Sequence, residues 1–79
     1  YPNPFNPVTS ISYTITDMNH VTLNVYNLTG QLIETLVNDQ QSAGSYNLVW
    51  NAAHHASGMY FLRMETGNEM FLQKLMLLK

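Results

Sequence analysis

Seventy-nine residues carry one domain and leave no room for a second. The chain has no cysteine, which removes a disulfide framework and a thiolate metal site, so a small core that buries only about 60–65% of the unfolded surface must rest on apolar packing. Three basic residues (Arg63, Lys74, Lys79) against five acids give a net charge of −2, and so few cations make no basic stripe for nucleic acid.

In chain order, residues 1–7 come first. Tyr1-Pro2-Asn3-Pro4-Phe5-Asn6-Pro7 contains all three prolines, each of which fixes φ and holds its predecessor extended. This stretch is read as an arm from an upstream domain, and residues 8–79 as the folded domain. The chain opens on Tyr1 with no charged, apolar leader; it reads as a piece of a longer protein whose compartment its own N-terminus does not reveal.

From there the apolar period is two. Ile11, Tyr13 and Ile15 alternate with Ser12, Thr14 and Thr16, the pattern of a half-buried strand. A turn over Asp17-Met18-Asn19-His20 leads to Val21, Leu23 and Val25, alternating with Thr22 and Asn24. Asn27-Leu28-Thr29-Gly30 is a turn in which Gly30 supplies a positive φ. Gln31 to Val37 carries apolar residues in both phases and is expected to be a short, enclosed strand, followed by a polar loop from Asn38 to Gly44. Tyr46, Leu48 and Trp50 alternate with Ser45, Asn47, Val49 and Asn51, and a second loop, Ala52 to Gly58, contains His54 and His55. Tyr60, Leu62 and Met64 face one way; Met59, Phe61, Arg63 and Glu65 face the other. Thr66-Gly67-Asn68-Glu69 is a tight hairpin connection, and a last strand runs from Met70 to Leu78. That last apolar segment is broken by Gln73 and Lys74 and falls far below the ~20 residues of a membrane helix, so no stable membrane insertion is expected. Six to seven short strands without a helical segment predict an all-β, immunoglobulin-like antiparallel β-sandwich. Tyr13, Val25, Leu48, Trp50, Tyr60 and Leu62 should be buried between its sheets.

Chemistry-bearing residues are few. Asp17, Glu34, Asp39, Glu65 and Glu69 fall in turns or at outward strand positions, with no pair at a spacing suited to acid–base work, so no catalytic residue is assigned and an enzyme is not expected. His54 and His55 are adjacent and in a strand would point to opposite faces; two imidazoles without a carboxylate also leave a metal under-coordinated, so neither metal nor cofactor is expected. Trp50, Tyr46 and Tyr60 could line a carbohydrate platform, but their place on the apolar phase of alternating strands favours a core role.

Five blocks in order carry a more specific signal: Tyr1-Pro2-Asn3-Pro4-Phe5-Asn6-Pro7 with Thr9, Ile11 and Tyr13; Val21-Thr22-Leu23-Asn24-Val25-Tyr26-Asn27 with Gly30; Ala43-Gly44 with Tyr46 and Trp50; Ser57-Gly58-Met59-Tyr60-Phe61; and Lys74 to Lys79. Together they resemble the C-terminal sorting domains of the type IX secretion system, over nearly the whole chain. The sandwich also resembles the immunoglobulin-like domain of flagellar hook-capping proteins. The first resemblance implies a domain attached to a larger cargo protein, monomeric, passing through the periplasm and read by the outer-membrane translocon and its shuttle and peptidase partners. The cargo then becomes secreted or held at the cell surface. It also implies that the sorting signal lies in Gly58, Tyr60, Lys74, Leu75, Met76, Leu77, Leu78 and Lys79. Gln73 departs from the family, in which a second basic residue is common before Lys74. Because a final strand can lie at a sheet edge, its unpaired backbone offers a handle for a partner strand. A carbohydrate-binding accessory module and a structural spacer are the competing functions.

Overall fold

A computed structural model describes residues 8–77. Residues 1–7, expected to form an arm, and the last two residues of the expected signal, Leu78 and Lys79, lie outside them. The described chain is all-β: β1 (Val8–Ile15), β2 (Asn19–Asn27), β3 (Leu32–Gln41), β4 (Gly44–Asn51), β5 (Gly58–Thr66) and β6 (Glu69–Leu77). Every pairing is antiparallel. β1 and β4 form a two-stranded sheet; β3-β2-β5-β6 form a four-stranded one. The expected sandwich of immunoglobulin-like kind is therefore present, with six strands.

The period-two pattern explains what holds the layers together. Val21, Leu23 and Val25 point inward from β2, and Tyr60, Leu62 and Met64 from β5, against Ile11, Ile15 and Trp50 of the smaller sheet. Val21, Leu23, Val25 and Trp50 are sealed from solvent. Burying each such side chain contributes about 1.5–3 kcal/mol before conformational entropy is subtracted. Polar bonds also tie sheet to sheet: Tyr13 Oη donates to Gln41 Oε1 (2.8 Å) and Trp50 Nε1 donates to Glu34 Oε1 (2.9 Å).

Several expectations change. β3 is the longest strand and an edge strand, neither short nor enclosed, and it absorbs most of the expected 38–44 loop. Its double-phase apolar pattern comes from two register shifts against β2, where Leu23 pairs with Val37 but Asn24 with Thr35, and Val25 with Glu34 but Tyr26 with Leu32. Each shift puts one extra β3 residue into the ladder and resets which side chains face the core. Glu34, expected outward, thereby turns toward Trp50. Tyr13 and Leu48 are half-buried, not fully buried. Tyr13 instead stacks on its cross-strand partner Tyr46 at 5.3 Å. The β5–β6 hairpin has its single positive φ at Gly67 (+59°), the primed-turn geometry with glycine at the first central position. A Cβ there would lie 2.9 Å from the Asn19 Nδ2 atom.

Candidate functional site

β6 forms one edge of the larger sheet and pairs with β5 without a register shift, from Thr66 opposite Glu69 to Gly58 opposite Leu77. This ladder brings two blocks of the expected signal side by side: Gly58 faces Leu77, Met59 faces Met76, Tyr60 faces Leu75 and Phe61 faces Lys74. The other side of β6 has no neighbouring strand among the described residues, so its backbone groups on that side are unpaired by any ladder.

The expected signal residues separate into two groups. Tyr60 and Leu77 are buried and Leu75 is half-buried, packed on the core. Tyr60 sits edge-on to Trp50 at 5.7 Å, and its hydroxyl donates to the Ala56 carbonyl at 2.7 Å. Gly58 takes φ +150° with open space around it, so backbone conformation, not crowding, demands glycine there. These residues place the strand. Lys74 and Met76 present it: both are exposed on the outward face.

Sequence reasoning missed three neighbours. Met70 and Leu72 share the outward phase of Lys74 and Met76, and at 54% and 62% exposure they make that face apolar where water would ordinarily meet polar side chains. Phe71 is 51% exposed on the inner phase, at the mouth of an open cleft of about 550 Å³ between β1 and the uncovered half of the larger sheet. The cue was already in the sequence, since Met70 to Leu78 is apolar in both phases. A second cleft of about 320 Å³ on the outer face runs from Tyr26 and Leu28 across Phe61 and Arg63 to Leu72.

Charge is distributed unevenly. Arg63 and Lys74, both cations of the described residues, stand on this outer face, where Arg63 Nη2 reaches Glu65 Oε2 at 2.8 Å. The remaining acids lie elsewhere: Asp17 in the first turn, Glu34 and Asp39 on β3, Glu69 at the hairpin.

Other candidate chemistry disperses. His54 is exposed, while His55 packs against Trp50 at 5.7 Å and brings Nε2 to 3.5 Å from Glu34 Oε1. Among the described residues no group of three or more His, Cys, Asp or Glu is placed to hold a metal ion. Trp50 and Tyr60 are 2% and 7% exposed, which removes two of the three rings a carbohydrate platform would use.

The family model for the secretion system C-terminal sorting domain matches residues 1–78. The chain belongs to that family. No curated protein and no solved structure matches it at a significant level. As a type IX sorting domain it is a signal-bearing module of a non-catalytic family, part of a larger cargo and engaged with the secretion machinery. Its destination is the cell surface or the medium.

Proposed function

We propose that this sorting domain directs export of its upstream cargo from the periplasm across the outer membrane, and that the translocon and its associated proteins read it at β6. The observation that carries the reading is the free edge of β6 coupled to exposed side chains of Met70, Leu72, Lys74 and Met76. An added strand gains main-chain hydrogen bonds from the edge and side-chain selectivity from the face beside it. Gly58 and Tyr60 act at one remove, by fixing the β5 backbone on which the C-terminal half of β6 pairs. Leu78 and Lys79 complete the same segment in this reading.

The test is a reporter with an ordinary signal peptide and this domain at its C-terminus, in a cell that runs type IX secretion. The reporter should appear outside. Removing residues 74–79 should leave it in the periplasm, but that deletion also takes Leu75 and Leu77 from the core. The sharper variant is Lys74→Ala with Lys79→Ala, which leaves those packing side chains in place. Lys74 is exposed, and a surface change of this kind alters stability by less than about 0.5 kcal/mol. A folded double variant with reduced export supports the reading. Export that survives the full deletion overturns it.

A further inference from the structure

The outer side of β6 carries more information than a bare edge, and its order along the strand is specific. Leu72 and Met76 flank Lys74 at two residues on either side, all three on one face, with the apolar pair 62% and 59% exposed. Of the two cations on this face, Arg63 already has Glu65 as its counterion. Lys74 has no ion pair or hydrogen bond among the described residues, and in the ladder it lies opposite the apolar Phe61. The result is an uncompensated ammonium set between two exposed apolar side chains, on a strand with one side unpaired.

We infer that the strand seated on the β6 edge belongs to a different protein and presents a carboxylate opposite Lys74, with apolar side chains two residues to each side. This rests on the reading of β6 as the recognition edge. Directly opposed residues in a ladder point to the same face, so the partner's pattern follows from the β6 pattern: apolar opposite Leu72, acidic opposite Lys74, apolar opposite Met76. Opposite charges at such positions attract and like charges repel, which sets the choice of partner. The same rule disfavours a second copy of this chain. Two β6 strands paired in a register centred on Lys74 would bring two ammonium groups face to face, so the lysine guards the edge against self-association while admitting an acidic strand.

Two synthetic peptides test this with the whole 79-residue chain. One is Thr-Leu-Thr-Glu-Thr-Leu-Thr, which reads the same in both directions and so does not prejudge strand polarity. The other has lysine in place of the glutamate. Titrated against labelled domain at low salt, the glutamate peptide should shift the amide resonances of β6 and bind about fivefold more tightly than the lysine peptide. That preference should shrink as salt is added. In Lys74→Glu the preference should invert. Equal binding of both peptides, binding of neither, or a preference that fails to invert overturns the inference. The export assay separates this failure from failure of the underlying reading. If the unaltered domain does not export its reporter, β6 as an address is lost. If it does, and Lys74→Glu exports equally well, only the acidic-strand partner is lost.

Discussion

Trp50 is held from three directions: its ring lies 5.7 Å from both His55 and Tyr60, and its indole N–H is spent on Glu34. Trp50→Ala removes all of this and should cost about 3–5 kcal/mol, enough to leave a domain of this size largely unfolded in a denaturant titration. Trp50→Phe keeps an aromatic ring but not the donor, and should cost about 1 kcal/mol from the lost hydrogen bond plus a packing defect. Gly58→Ala isolates backbone strain, because the φ of +150° forbids alanine while the surrounding space admits a Cβ. It should cost about 1–3 kcal/mol on the same titration, and a change of only a few tenths would show that the loop before β5 relaxes freely. Zinc or copper at stoichiometric concentration should leave the melting temperature unchanged, since His55 is committed to Glu34 and Trp50; reproducible stabilisation would contradict this, because any ligand of the native state raises apparent stability. The inward phase of Trp50, Tyr60 and Leu62 was legible from alternation alone. The turn of Glu34 toward Trp50 was not, because the register shifts in β3 depend on a partner strand that local sequence does not reveal.

At the scale of strands, β6 has the largest exposed share: only Leu77 is buried and Leu75 half-buried, both at its C-terminal end. Its N-terminal half should therefore show the fastest amide exchange of any strand flanked by a turn as tight as Gly67-Asn68, while β2, paired on both sides, exchanges slowest. Uniform protection across β2 and β6 would mean that something covers the β6 edge in the isolated domain. Sequence alternation located five of the six strands to within a few residues and read the hairpin into β6 from Gly67. It misjudged β3 because a strand carrying two extra residues mimics one that is buried on both faces. The exposed apolar face of β6 was not singled out in the sequence beyond Met76, for a related reason. Met70, Leu72 and Met76 look like core residues when hydrophobicity alone is counted, and only the absence of a strand or sheet over them identifies them as surface.

For the molecule as a whole, two strands packed on four leave a half-covered sheet, and the cleft beside β1 lies over that uncovered part. Which strands share a sheet was not legible, because β1 pairs with β4 across two intervening strands and nothing local encodes so distant a partner. Nor was the meeting of Gly58-Met59-Tyr60-Phe61 with Lys74 to Leu77; it follows from the hairpin register, and it lays one motif directly behind the edge strand that carries the other. In the proposed function this edge, and not the opposite edge at β3, meets the export machinery. A photoreactive side chain placed at Met76 or at Gln40 compares the two directly, since both positions are exposed and each lies on an outer strand of the same sheet. In a cell exporting the fused reporter, illumination should link Met76 variants to an outer-membrane component of the secretion system and leave Gln40 variants unlinked. Equal linking from both positions, or linking from Gln40 alone, would contradict it.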